Sequence, residues 1–198
     1  DLHDHTGHSD GKCASMHDGN VFCPEFKVLE KAASLGLDFV AVTDHNTVSH
    51  HDALEKWQPY FDQLLLIPGR EVTTFFGHAN AYGTSEDIDF RVAPGWTATD
   101  MAKQVRAAGG VLSLNHPIRP SGEECMGCGW TAPIDWSLVD GIEAVNGIDP
   151  DTPYSGIPFW QARLNEGHRI TMIGGSDDHN LPEVAGIRGA LGVPTTVV

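Results

Sequence analysis

The chain is short of cations. Its 198 residues carry 12 lysines and arginines against 27 aspartates and glutamates, a formal net charge of −15. Duplex nucleic acid is bound mainly through Lys and Arg contacts to phosphates. This balance therefore argues against a duplex partner and against a proofreading exonuclease role, but not against a small anion held at a bound cation. No apolar run approaches the roughly 20 residues that a membrane span needs, and no signal peptide is in view. Low-complexity tracts, internal repeats and inter-domain linkers are missing too, so residues 1–198 read as a single domain. With 40% hydrophobic residues, the chain can bury a core. It opens directly on ligand-grade side chains and stops at Thr195-Thr196-Val197-Val198, which reads as an unfinished last strand. Both ends are expected to have been cut from a longer protein.

Cysteine is also scarce: Cys13, Cys23, Cys125 and Cys128. Cys125-Met126-Gly127-Cys128 has no second Cys-x-x-Cys to pair with, which argues against a four-thiolate zinc ribbon. Two sequence-local pairs permit disulfides, and the reading favours bridges and a periplasmic or secreted location over a cytoplasmic one. Half of a zinc or redox site stays open as the alternative for Cys125 and Cys128.

What the chain does have is histidine, 11 in all, concentrated where it can act. His3 and His5 sit two apart in Asp1-Leu2-His3-Asp4-His5-Thr6, so in a strand they share a face and can grip one ion. Asp10 follows in a turn closed by Gly11. Residues 12–22, rich in Gly, Asn, Ser and Met, are expected to loop over the mouth of that site.

The rest alternates. Helical apolar spacing begins after Pro24 and stops at Gly36, and residues 37–43 form a buried strand ending at Asp44-His45-Asn46. A short helix spans about 53–61. A third strand at 64–68 ends at Gly69-Arg70-Glu71-Val72, and a short fourth starts at His78. Thr97 or Thr99 caps a helix that Gly109-Gly110 stops, and strand 111–114 ends at Asn115-His116-Pro117. After a Gly/Pro/Cys-rich insertion at 118–134 come strand 140–145, helix 159–167 and strand 169–173. That last strand ends at Gly174-Gly175-Ser176-Asp177-Asp178-His179, and a final strand is expected near 195–198. In such βα chains, reactive groups lie beyond the carboxyl ends of the strands. His3, His5, His45, Glu71, His116, Asp177 and His179 fall there.

With Asp10, His78 and, more weakly, Asp44, these make ten ligand-grade side chains. Imidazoles and carboxylates suit Zn, Mn, Fe or Ni. The set exceeds what one tetrahedral ion takes and suffices for two or three divalent ions. Glu71 is the expected bridging carboxylate. Arg119, three residues after His116, can clamp an anion bidentately, and Phe22, Phe75, Phe76 and Trp130 can line an aromatic pocket. His8, His17, His50, His51 and His168 read as structural or solvated.

The run Asp1-Leu2-His3-Asp4-His5-Thr6, Ser9-Asp10-Gly11, Val42-Thr43-Asp44-His45-Asn46, Gly69-Arg70-Glu71, Asn115-His116-Pro117 and Ser176-Asp177-Asp178-His179 resembles the ordered motifs of the PHP (polymerase and histidinol phosphatase) superfamily. Thr73-Thr74 before Gly77-His78-Ala79-Asn80, Asn146-Gly147 and Pro194-Thr195-Thr196-Val197-Val198 further resemble its carbaryl-hydrolase-like metallohydrolase branch. The resemblance implies a distorted (β/α)7 barrel with a two- or three-metal site. It implies that His3, His5, Glu71 and Asp177 hold a first ion, that Glu71 bridges to a second completed by His78 and His116, and that Asp10, His45 and His179 hold a third. Asp44 and Asp178 would orient neighbouring ligand histidines.

Such ions make hydroxide from water at neutral pH and polarise an ester oxygen. Glu71, Asp177, His179 and Arg119 are the candidate catalytic residues, with no general acid assignable among them. The expected function is hydrolysis of a small phosphate ester by a metal-bridging hydroxide. Carbamate or carboxylic ester hydrolysis is the alternative, and a metal-stabilised interaction module is the third reading.

Overall fold

The computed structural model describes residues 1–15, 17, 19–91, 94–123, 125–181 and 189–198. Parts of the two expected loops, residues 16 and 18 in the first and 124 in the second, lie outside these. In order the elements are β1 (Lys12–Ser15), β2 (Gly19–Phe22), α1 (Glu25–Ser34), β3 (Phe39–Val42), α2 (His51–Trp57), β4 (Leu65–Thr74), β5 (Gly77–Tyr82), α3 (Ala98–Ala107), β6 (Val111–Leu114), β7 (Gly141–Asn146), α4 (Ile157–Asn165), β8 (Thr171–Gly175) and β9 (Asn180–Leu181). Short 3-10 turns at Gln58–Tyr60, Trp136–Leu138 and Asp149–Asp151 join some of them.

Six strands form one curled half-barrel sheet in the order β3-β4-β5-β6-β7-β8, and β2-β1-β9 form a small second sheet. The large sheet is mixed. β3–β4, β6–β7 and β7–β8 run parallel, whereas β5 is antiparallel to both neighbours. The strict βα alternation expected from the sequence fails here, because only Phe75 and Phe76 separate β4 from β5. Two residues suffice for an antiparallel hairpin but not for a parallel crossover. The opening segment hydrogen-bonds toward both edges of the curl. Ala41 and Thr43 donate to Asp1 and Asp4 carbonyls, and Asp177 donates to the His3 carbonyl while His5 donates to that of Asp178. It is not a ladder strand, contrary to expectation; among the described residues it forms a single bridge, Asp4 to Asp178.

Local sequence explains most of the rest. α1 begins at Pro24, carries Glu25 in its first turn and Lys31 in its last, and buries Val28, Leu29 and Ala32. Thr97 caps α3 by accepting from the Asp100 amide. One apolar cluster joins α1, β3 and α2 with Cys13 and Cys23; a second joins β4–β7 with α3.

Three expectations are corrected. Lys12–Ser15 and Gly19–Phe22 form the antiparallel pair β1–β2 where a loop was expected. β4 runs unbroken through Gly69-Arg70-Glu71, so Glu71 lies inside a strand and not at its end. Residues 195–198 form no strand; Thr196 instead ties its hydroxyl to the backbone of Gly174. Cys125 and Cys128 are bridged, while Cys13 and Cys23 are buried free thiols.

Candidate metal centre

Glu71 is the hub. Its side chain is fully buried, and five imidazoles converge on it. His3 Nε2, His78 Nδ1 and His116 Nε2 stand 3.5, 3.2 and 3.3 Å from Oε1, and His45 Nδ1 and His5 Nε2 stand 2.6 and 3.7 Å from Oε2. Asp177 Oδ1 lies 3.2 Å from His3 Nε2 and 3.1 Å from His5 Nε2. Asp10 Oδ1 lies 3.8 Å from His45 Nε2 and 3.6 Å from His179 Nε2. All nine expected ligands therefore meet in one place. Among the described residues, four overlapping groups have donor atoms within 4.8 Å of one another: His3, His5, Asp177; His3, Glu71, His116; His5, Asp10, His45, His179; and His78, His116, Cys125, Cys128.

The backbone is bent to achieve this. Asn46, His116 and Asp177 have φ of 50, 26 and 55°, the left-handed region that non-glycine residues seldom enter. Among the described residues these are the only non-glycine positive φ values, and all three follow strands that end at the site.

The donor set fits divalent cations. His3 sets Nδ1 against Glu143 Oε1 at 2.9 Å, and its Nε2, buried, faces only carboxylate oxygens without making a hydrogen bond. His78 sets Nε2 against the Met126 carbonyl at 3.0 Å and Nδ1 against Glu71. A neutral imidazole has one N–H. Each ring, with acceptors on both sides, therefore needs a second proton or a cation between it and the carboxylate.

The electrostatics agree. Burial pushes the Glu71 carboxyl upward, but the charges of His45, His3 and His78 outweigh it and hold it well below the ordinary range. Asp177 is depressed likewise, with His3, His5 and His179 overcoming its burial. Burial opposes protonation of His45, yet Glu71 wins and raises that ring to about 9. His5 goes the other way, to about 4, because burial is joined by repulsion from His179 and His45. Leaving one buried charge unpaired costs several kcal/mol, so in the metal-free protein His3 and His45, whose rings are both raised, carry protons for the carboxylates.

Beside this cluster opens a cleft of about 1450 Å³. Arg119 lines it, donating to Asp149 Oδ2 at 2.9 Å with its other arm 3.8 Å from Asp177 Oδ2. Phe75 and Phe76 line it as expected, joined by Phe90, Ile148 and Tyr154. Phe22 and Trp130 do not. Phe22 is on the exposed face of the β1–β2 pair, and the Trp130 ring packs over Gly77 and the second core cluster.

The two expected orienting aspartates do other work. Asp44 accepts from the backbone and hydroxyl of Thr6 and Ser9 and faces His50, not His45. Asp178 accepts from the Asn180 amide, and His179 is set by the Asp177 carbonyl at 2.8 Å. His50 and His51 bond to backbone carbonyls, as a structural role requires.

Sequence reading missed Glu143. It holds His3 through Oε1, and its Oε2 accepts from the His116 amide and from Asn146. Its one signal was a glutamate inside the apolar run Gly141-Ile142-Glu143-Ala144-Val145. A register shift between Glu143 and Val145 in β7 sits beside it. Asn115 donates to Glu71 Oε1, Asn146 to Asp177 Oδ2, and Thr73 Oγ1 lies 2.7 Å from His45 Nδ1.

No family model matches the chain. An uncharacterized protein of Methanocaldococcus jannaschii is 29% identical over 152 residues, 76% of this chain and 83% of its own length. Among solved structures, a two-domain protein of Bacteroides vulgatus, named as containing a predicted PHP-like metal-dependent phosphoesterase, superposes with a TM-score of 0.64 at 24% identity. That match takes in 91% of this chain but 51% of the other, so the chain spans about half its length. A Bifidobacterium adolescentis protein, named as a candidate metal-dependent phosphoesterase, reaches 0.66 at 17% identity over 97% and 92% of the two chains. An amidohydrolase of Chromobacterium violaceum, solved with sulfate and no metal, reaches 0.59 at 16% identity over 96% and 91%. At these identities the likeness to the three structures is one of fold.

Proposed function

We propose that the chain is a PHP-type metal-dependent hydrolase that cleaves a small phosphate ester. The observation that carries this reading is the gathering of eight histidine and aspartate side chains around Glu71, with the Arg119 guanidinium on the adjoining cleft wall. His3, His5, Glu71 and Asp177 would hold one divalent ion, Glu71, His78 and His116 a second, and Asp10, His45 and His179 a third. When bound, such ions lower the pKa of water and stabilise negative charge on the ester oxygens.

The chain's own groups do the rest. Glu143 and Met126 fix which imidazole nitrogens of His3 and His78 present lone pairs to the centre. Arg119, part-buried and already facing Asp177, is placed to pair with a non-bridging phosphoryl oxygen and orient the ester. Phe75 and Phe76 offer the leaving group an apolar wall that keeps water from it. Asp177 and His179 line the same cleft and would be the groups to assist a departing oxygen, with no general acid assigned between them.

The structures matched above do not support the carbaryl-hydrolase-like branch; hydrolysis of a carbamate or carboxylic ester stays as the second reading because Phe90, Ile148 and Tyr154 extend the apolar part of that wall. The amidohydrolase name of one structural neighbour belongs to the same class.

The test is an assay of the purified protein, reloaded separately with Zn2+, Mn2+ and Fe2+, on a chromogenic phosphomonoester, a phosphodiester and an aryl carbamate. Turnover of a phosphate ester that Arg119→Ala lowers by about 10²-fold is expected. Turnover of the carbamate alone would replace this reading with the second, and metal binding without any turnover would remove both.

A further inference from the structure

The insertion at 118–134 is built around two of the histidines. Its foot is His116, whose carbonyl accepts from the Arg119 amide, and the Pro117 carbonyl accepts from Trp130. Its middle is fastened to His78, whose Nε2 bonds the Met126 carbonyl. Gly127 is what lets it come so close. Its φ is +82°, and a Cβ there would run into the Thr74 carbonyl and Phe75. The result is that Cys125 and Cys128 sit beside His78 and His116, with one donor atom from each of the four within 4.8 Å of all the others. His78, His116 and Cys128 are buried, and Cys125 is half-buried.

We propose that Cys125 and Cys128, in their thiolate form, are ligands of a thiophilic divalent ion that His78 and His116 also hold. The proposal rests on the metal-centre reading above and specifies how its second position is controlled. Two thiolates and two imidazoles are the donor set of a tetrahedral Cys2His2 zinc site, and Cys-x-x-Cys is the spacing such sites use. His78 and His116 also face Glu71 Oε1 at 3.2 and 3.3 Å. The same two rings thus belong either to a soft site completed by thiolates or to a harder one completed by a carboxylate, and softness of the ligands selects the metal.

The disulfide seen in the structure is the other state of the switch. A disulfide oxidant such as oxidised glutathione takes two electrons from the two bound thiolates. One S–S bond forms between Cys125 and Cys128 and one breaks in the oxidant. Two protons go to the two thiols released, and the ion leaves its sulfur ligands.

Cobalt reports this without any substrate. The full chain, reduced and then loaded with Co2+, is expected to show a thiolate-to-cobalt charge-transfer band and strong tetrahedral d–d absorption. Oxidised glutathione should abolish both bands and release about one equivalent of Co2+ to a chromogenic chelator, since one tetrahedral site is at stake. The double variant C125S/C128S should bind Co2+ at the remaining positions, with an unchanged far-ultraviolet circular dichroism spectrum and no charge-transfer band. Co2+ bound to the reduced wild type without that band would overturn the proposal and leave the metal centre standing. A band that persists in C125S/C128S would overturn it by assigning the sulfur to Cys13 and Cys23. No Co2+ binding at all would overturn both this proposal and the metal-centre reading.

Discussion

Glu143 touches no substrate-facing surface, yet it holds His3 through one oxygen and the His116 backbone through the other. Partners of this kind set ring tautomer and orientation, and their loss typically costs 10–100-fold in metal affinity. Glu143→Gln is therefore expected to weaken metal binding by about that factor with the fold intact, read by competition against a fluorescent chelator. His50 makes a different prediction. Burial lowers its ring to about 4, with the facing His51 adding to the effect and Asp44 opposing it. A histidine whose folded pKa lies below its unfolded value binds fewer protons when folded. Its contribution to stability is present above about 6.5 and is lost as pH falls toward 4. His50→Gln should flatten the fall in urea stability across that window by on the order of 3 kcal/mol, with the wild type falling more steeply.

The residues that touch the centre were legible in the sequence because imidazole and carboxylate chemistry has few cheaper explanations at clustered strand ends. Those that hold them were not. A buried Glu143 in an apolar strand, or an Asn115 that donates to Glu71, becomes meaningful only when strands far apart in sequence are brought side by side.

At the scale of elements, helices were read closely because caps and 3.6-residue spacing are local signals, as in Pro24 before α1 and Thr97 before α3. Strands were read less well. Gly69 looks like a stop, but it continues β4 because the Thr43 methyl and the Val42 carbonyl close over the place a side chain would occupy. Residues 12–22 looked like a loop because each strand of the β1–β2 pair is four residues long, too short for alternation to register. Gly77, at φ +145°, tests the β4–β5 turn: an added Cβ would collide with the Trp130 ring. Gly77→Ala is expected to cost about 2 kcal/mol, roughly 4–8 °C in Tm for a domain of this size, measured by thermal melts at fixed metal concentration.

For the whole molecule, the metal centre couples to stability. Ions that bind the folded chain and not the unfolded one stabilise it by RT ln(1 + [L]/Kd), about 2.7 kcal/mol at 100 times Kd. Chelation should therefore lower Tm, and Zn2+ or Mn2+ should restore it. Glu71→Ala should lose at least one ion per chain by elemental analysis and nearly all activity. Unchanged metal content would end the bridging role of Glu71. The mixed α/β class was legible as alternation, whereas the antiparallel β5 was not, since direction within a sheet is set by the length of the connection, not by the strand. No described helix is long and apolar enough to cross a membrane.

His5 and Asp177 are 172 positions apart and meet at 3.1 Å. On the ribosome, at roughly 5–20 residues per second, the first waits on the order of 10–30 s for the second. During that interval a nascent chain displays histidines with no pocket to put them in. An ion that needs both His5 and Asp177 can therefore be held only after residue 177 has been made.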